Sequence, residues 1–426
     1  MTDNLVTELI NRLADDDNTV QESASDALIE LGDEAVLPLI EVLKGSKNLL
    51  RVQAAYILGE IGDERAINPL INALEDQDEK VREEAASALG NFIDVAYKPL
   101  LNILTNQRAK PETRYLAAIA LRYSDANIVF EELRAIALDS QENNQVRLGA
   151  IRALGSIADQ QNVNSFLLLL KNSDPKIRAA TAIALGYPGW VEAVDGLIEV
   201  ISDPDSKVRK NAALALGRIG DKRAIESLIK ALNDKDSVVR HRVVMALRKV
   251  SDERVVLPLI KTLLNDSWSQ VRLQAASTLA EIGDLRAVDP LIQALKDEFF
   301  GVREHAARAL GMLGAKKAAA PLLTLLADQN EENLVRSNVI DALLLLQEDR
   351  MIEPLITIIQ SNKEDNEPVD KLLGLDAIEA LGQIGGEQVL PVLLELQQAN
   401  SSAKSEDAEL AEAISKAVEN IRARNA

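Results

Sequence analysis

The chain contains no cysteine, which rules out a disulfide, a thiolate metal site, an iron–sulfur cluster and a cysteine nucleophile. Histidine is nearly absent too: only His241 and His305 occur, too few for a histidine-rich metal site. Aromatic residues make up 3% of the chain although hydrophobic residues make up 47%, so any core must be built from Ala, Leu, Ile and Val. Such side chains pack well between closely spaced helices, which favours helices over sheets. Basic residues are outnumbered, 47 against 67 acidic ones, and the formal charge of −20 is spread along the chain. Nucleic-acid backbones and anionic membrane surfaces are therefore repelled on average. Long apolar runs are missing as well, since stretches such as Phe166–Leu170 are far too short to span a bilayer. The opening Met1-Thr-Asp-Asn-Leu-Val carries an acid and no basic leader region. The expectation is an acidic, soluble, cytoplasmic protein with no nucleic-acid partner and no membrane insertion.

What the chain has in abundance is repetition. At 426 residues it is long for one globular core, but an apolar-Arg pair recurs at Arg51, Arg82, Arg114, Arg147, Arg178, Arg209, Arg240, Arg272, Arg303 and Arg336. The step is 30 to 33 residues, counting a degenerate first copy with Gln21 at the Arg position. A last copy, displaced by the insert Gln360–Asp370, has Gly374 there, which gives about twelve units.

The clearest copies, Val81-Arg-Glu-Glu-Ala-Ala-Ser-Ala-Leu-Gly90 and Val208-Arg-Lys-Asn-Ala-Ala-Leu-Ala-Leu-Gly217, place apolar residues at helical spacing and predict one helix, B, per unit. Between copies runs Gly-Asp-x-Arg-Ala, as at Gly62–Ala66, Gly220–Ala224 and Gly283–Ala287. The Gly suits a helix C-terminal turn and the Asp can cap the next helix. A second helix, A, then carries Pro-Leu, as at Pro38, Pro69, Pro99 and Pro258, expected early in the helix where a missing N–H costs little. An acid often stands six residues before the Arg, as in Asp76–Arg82, Asp203–Arg209, Asp234–Arg240, Asp266–Arg272 and Asp297–Arg303. Because the pairing recurs, it reads as a structural ladder within and between units rather than as catalytic machinery.

One such unit cannot bury its apolar stripe alone, so neighbours must stack. The predicted fold is an all-α, right-handed α-solenoid of two-helix repeats over residues 1–398, with irregular units over about 91–190 and the loop insert at 360–370. Residues 399–426 read as a polar linker and a capping helix that runs from Ser405 through Ile421.

The Val-Arg-x-x-Ala-Ala-x-Ala-Leu-Gly-x-Ile-Gly-Asp-x-Arg-Ala-Ile-x-Pro-Leu-Ile pattern resembles the HEAT-like repeat of the phycobilisome-lyase type, within the armadillo-like superhelices. The resemblance covers nearly all of residues 1–398 and implies a fold more than an activity. Family members that attach or detach bilins carry aromatic-rich B-helices. Here Arg51-Val-Gln-Ala-Ala-Tyr-Ile-Leu-Gly59 and Arg114-Tyr-Leu-Ala-Ala-Ile-Ala-Leu-Arg122 hold single tyrosines and no tryptophan. Deoxyhypusine hydroxylase is similar in helix B but binds two irons through repeated His-Glu pairs. In this chain His241 is followed by Arg242 and His305 by Ala306, so that ligand set is lacking and no metal site is expected.

No phosphate loop or nucleophile paired with a histidine stands out, and no catalytic residue is assigned. Two other signals point to binding. First, eight of the twelve aromatics fall between Phe92 and Trp190. Tyr123, Tyr187 and Trp190 are the interface candidates among them, the last two within Gly186-Tyr-Pro-Gly-Trp190, where amphipathic rings at a turn make anchors. Phe92, Phe130 and Phe166 read equally well as core filling.

Second, the positions one and five residues after the Arg share a face of helix B. There Tyr115, Ile119, Leu148, Arg152, Ile183, Lys210, Leu214, His241 and Met245, with Arg242, compose an apolar centre edged with cations, expected as an exposed groove for a partner protein. The leading expectation is a non-catalytic scaffold or chaperone-like adaptor that needs no cofactor. The alternative implied by the resemblance is a bilin lyase or isomerase subunit, or another phycobiliprotein-associated factor. In it Tyr115, Tyr123, Tyr187 and Trp190 would shelter a tetrapyrrole, with Asp195 or Arg152 at its propionates or pyrroles.

Overall fold

A computed structural model describes residues 2–157, 162–250, 252–361, 368–401 and 407–425. Among the described residues there are α-helices and short 3-10 turns and no strand. The helices alternate as A and B throughout, as in Ile67–Ala73 then Glu79–Gly90, or Val256–Asn265 then Ser269–Ile282. They pack into two units, Met1–Ile219 and Gly220–Ala426, each a stack of two-helix repeats. The insert predicted at 360–370 and the linker before the last helix, Ser405 included, fall largely outside the described residues.

Local chemistry accounts for each repeat. In Glu79–Gly90, Asp78 caps the helix by accepting from the Lys80 amide at 2.9 Å, and the Val81, Ala85, Ala86, Ala88 and Leu89 stripe is buried. The Gly-Asp-x-Arg-Ala joint behaves as its residues suggest. Gly62 adopts φ +74°, accessible to a glycine at little cost, and ends the helix Asn48–Ile61. Asp63 accepts from the Arg65 amide at 2.9 Å, although what it caps is a 3-10 turn, Glu64–Ala66, that leads into the A-helix.

One expectation needs correcting. Pro69 and Pro258 are the third residues of their α-helices, where no intrahelical partner is lost, but Pro38 and Pro99 lie inside Asp33–Leu43 and Ile93–Thr105. Those two A-helices lack a preceding 3-10 turn and start earlier, which leaves the proline deeper in the helix. The glycine near the end of helix B is also more than punctuation. A Cβ added at Gly59 would stand 2.7 Å from Ala88 Cβ and 2.9 Å from Ala88 Cα, so the glycine lets the next B-helix approach. Gly155 meets Ala184, and Gly311 meets Ala342, in the same way.

In the irregular region Phe92, Phe130 and Phe166 all turn into the core. The last helix, Ala408–Asn425, buries Ile414, Ala417, Val418 and Ile421. Its Arg424 donates to the carbonyls of Gly382 and Gly385, both at 2.7 Å, at the end of the helix Pro368–Ile384.

Candidate functional site

The repeated arginines set the B-helices side by side. Arg178 donates to both carboxylate oxygens of Asp203, at 2.7 and 2.8 Å, and to the carbonyl of Asn172 at 2.8 Å. Asp203 in turn offers its own main-chain carbonyl to Arg209 at 2.8 Å. Arg178 thus binds a main-chain oxygen of its own repeat and a side chain of the next, whereas, among the described residues, buried Arg147 bonds only the Ala137 carbonyl and Asn144 of its own repeat. Arg51–Asp76, Arg240–Asp266 and Arg272–Asp297 repeat the bidentate arrangement at 2.7–2.8 Å. Burial pushes the Asp203 carboxyl up. The hydrogen bonds from Arg178 and the Asp205 amide, with the charges of Arg178 and Arg209, overcome it and hold the group below the ordinary value.

The irregular repeats keep the ladder with different acids. Arg82 pairs with Glu112 at 2.7 Å, and buried Arg114 grips Glu142 through contacts of 2.9 and 2.6 Å. Glu142 stands five residues before Arg147, so the six-residue spacing rule passed over it.

Held in this way, Pro111–Ala120, Asn144–Ile157, Pro175–Ala184 and Ser206–Ile219 line an open groove of about 950 Å³ in the first unit. Six of the anticipated positions face it: Tyr115, Ile119, Leu148, Arg152, Ile183 and Lys210. Ile183, near the end of the helix Pro175–Ala184, is 46% exposed, an uncovered apolar side chain on the groove wall. Leu214 is half-buried on the same helix as Lys210 but does not line the groove.

The aromatic candidates divide. Tyr187 lines one end of the groove, 47% exposed, whereas Trp190 is 4% exposed and lies beneath it, ring centroids 5.5 Å apart. The expectation of an exposed Trp190 is therefore corrected: in the broken Gly186–Trp190 turn the larger ring fills the core and the smaller one covers it. Tyr123 is half exposed and outside the groove, packed where a side chain at Gly90 would stand and capped by the Arg122 guanidinium 4.5 Å from its ring centre. Asp195, offered for propionate or pyrrole contact, is exposed on the A-helix Val194–Val200 and does not line the groove.

His241, Arg242 and Met245 belong to the second unit, on the helix Ser237–Val250. His241, expected as an exposed groove residue, is instead half-buried, edge-on to Trp268 at 5.9 Å. Burial, then the charge of Arg242, lowers its pKa. His305 is also half-buried, its Nδ1 2.8 Å from the Gly301 carbonyl.

Sequence reasoning missed several groove residues: Arg122, Lys176, Lys207, Asn211 and Arg218. Lys176 and Lys207 each stand two residues before a ladder arginine, a first-turn position that reads as plain solvent-facing surface. The available signal was a cluster of cations in an acidic chain. Arg152 hydrogen-bonds the Tyr115 hydroxyl and lies 5.7 Å from its ring centre. Among the described residues, Arg152, Lys176, Lys207, Lys210 and Arg218 form no ion pair with a carboxylate. Also among the described residues, no group of three or more His, Asp or Glu is placed to hold a metal ion, and no helix is long and apolar enough to cross a membrane.

Comparison with known proteins accords with this architecture. The model of HEAT repeats matches residues 36–122, 130–200, 163–248, 194–276, 256–343 and 290–367, and that of the PBS lyase HEAT-like repeat matches 375–399. The phycocyanobilin lyase subunit alpha of Picosynechococcus is 44% identical over 62 residues, 15% of this chain and 23% of that protein. Deoxyhypusine hydroxylase of Drosophila melanogaster is 28% identical over 183 residues, 36% of this chain and 60% of that protein. The chain thus spans less than two thirds of the length of these relatives. Among solved structures, yeast importin-beta superposes with a TM-score of 0.65 at 15% identity, covering 99% of this chain and 67% of that one. Kap121p bound to Pho4p gives 0.54 at 14% identity, covering 100% of this chain and 54% of that one. These two show the fold alone. With the repeat model matching well over half of its length and arginine–acid pairs joining neighbouring two-helix repeats, the chain belongs to the HEAT-repeat family.

Proposed function

We propose that the protein is a non-catalytic scaffold that holds a partner protein in the groove between Tyr115 and Arg218. One observation carries this reading: three successive B-helices present an apolar floor, Ile119, Leu148 and Ile183, that the fold leaves open to solvent, and a fourth edges it with Lys207, Lys210 and Arg218. The ladder already satisfies the arginines on which stacking depends, so the groove residues are free to serve a guest. A cytoplasmic location belongs to the same reading, and fractionation of the native host tests it.

The test compares what co-purifies with the tagged chain and with Ile119→Glu plus Ile183→Glu. Both positions are at least partly exposed, so the variant retains its fold. A partner identified by mass spectrometry and lost from the variant supports the reading, whereas equal recovery rejects the groove as its site.

The short identity with a phycocyanobilin lyase subunit favours a second reading, in which the same groove handles a bilin. Tyr115 and Tyr187 would flank the tetrapyrrole and Arg152 would meet a propionate. Co-expression with a bilin supply distinguishes the two: a visible absorption band on the purified chain supports this reading, and a colourless chain that leaves apo-phycobiliprotein unmodified rejects it.

A further inference from the structure

The groove is out of character with the rest of the molecule. The chain has a net charge of −20, yet Arg122, Arg152, Lys176, Lys207, Lys210 and Arg218 line this one groove and, among the described residues, no Asp or Glu does. The carboxylates nearest in sequence are already engaged. Asp174 accepts from the Lys176 amide and from Asn144, each at 2.8 Å, and Asp205 accepts from the Lys207 amide at 2.8 Å. They cap helices with their oxygens and leave the lysine ammonium groups without an ion pair among the described residues. Arg152 and Arg122 rest on the Tyr115 and Tyr123 rings rather than on acids, which holds each guanidinium plane in place for a carboxylate.

A neutral guest covering this surface would strip water from cations and return nothing, and a basic guest would be repelled. From this charge complementarity, and resting on the scaffold reading above, we propose that the occupant is an acidic peptide segment of a partner protein. It alternates carboxylates, which meet the cations, with aliphatic side chains, which cover Ile119, Leu148 and Ile183. Four B-helices packed roughly 9 Å apart make a track of roughly 27 Å, the reach of about eight extended residues. The apolar floor favours such a segment over a nucleic-acid strand, whose charged backbone gains nothing from isoleucine and is repelled by the acidic remainder of the chain.

The experiment is fluorescence anisotropy on the full chain with a labelled peptide of alternating Glu and Leu, about eight residues long to match the groove. Its Gln-for-Glu analogue, its Lys-for-Glu analogue, a single-stranded oligothymidylate and biliverdin serve as competing probes. The main variant is Lys176→Glu with Lys207→Glu and Lys210→Glu. Glu is favoured in the first turns that hold the first two, and a thermal melt checks that the fold survives. The expected result is that the Glu peptide binds at least about tenfold more tightly than the Gln analogue, weakens with salt, and loses about tenfold in the variant, which now prefers the Lys analogue.

Equal affinity for the Glu and Gln peptides, with both lost on Ile183→Glu, overturns the acidic occupant and leaves the scaffold reading intact. Peptide binding that ignores every groove substitution overturns both. Tighter binding of oligothymidylate or biliverdin than of the Glu peptide, or no binding of the Glu peptide at all, also overturns the proposal.

Discussion

The carboxylate of Asp203 receives two parallel hydrogen bonds from Arg178, 25 residues earlier in the chain, while the Asp203 carbonyl receives Arg209. One residue therefore ties two consecutive repeats together. Replacing Asp203 by Ala leaves Arg178 largely buried without its partner, and the expected loss is about 3 kcal/mol of stability, read from urea unfolding. Replacing Arg178 and Asp203 together by Leu removes the stranded charge and is expected to cost less than Asp203→Ala alone. A double variant as unstable as the sum of Arg178→Leu and Asp203→Leu made singly would show that the pair is not coupled.

The ladder also sets the response to acid. Burial pushes the Asp76, Glu142 and Asp203 carboxyls up, but arginine and main-chain amide hydrogen bonds together with the arginine charges overcome it and hold all three below their ordinary values in the folded chain. Their contribution is complete above the unfolded-state pKa of about 4 and is lost as pH falls through the lower folded values. The urea midpoint should therefore fall steeply below about pH 4, and Asp203→Asn should flatten that fall.

Two glycines separate close packing from backbone strain. Alanine normally stabilises a helix relative to glycine, but at Gly59 the new carbon would meet Ala88 at 2.7 Å, so Gly59→Ala is expected to lower stability by about 1–3 kcal/mol. Gly62→Ala meets no atom within 4 Å but must hold φ +74°, at a cost of about 1 kcal/mol. Enlarging Gly59 further, to Val, should deepen the first loss through crowding, while Gly62→Asn should recover part of the second because Asn tolerates that conformation. Thermal melts distinguish the two cases.

Asp376 carries the opposite electrostatics. Burial, then the charges of Asp341 and Glu379, raises its pKa. An acid raised on folding favours the folded state fully only below its unfolded value, and the benefit is lost as pH rises through the folded value. At neutral pH Asp376→Asn is expected to raise the melting temperature by about 1–2 °C, and below about pH 4 the gain should vanish. A variant that melts earlier at neutral pH would mean that Asp376 makes a favourable contact.

The repeat fold was legible because its signals are periodic: the Arg at each B-helix, the Gly-Asp joint and the alanine-rich stripe all recur in register. Six groove positions followed from the same register, since residues one and five after the Arg share a helical face. Non-periodic features were harder to read. Tyr187 and Trp190 are three residues apart in a broken turn, and no helical phase tells which ring points inward. Lys176 and Lys207 escaped because a first-turn lysine looks like any solvated surface residue until the neighbouring helices are placed beside it. Glu142 escaped because a one-residue change in the preceding turn moved the acid while keeping the bond.

The arginine ladder also bears on how such a chain can change length. Since Arg51 reaches Asp76 and Arg178 reaches Asp203 across the same interval of 25 residues, excising one full period rejoins a guanidinium with an equivalent acid. A cut of half a period strands a cation in the interior instead. Growth and shrinkage by whole modules is thus the inexpensive route, and in the irregular stretch around Arg114 the bond is kept by a substitute acid, Glu142.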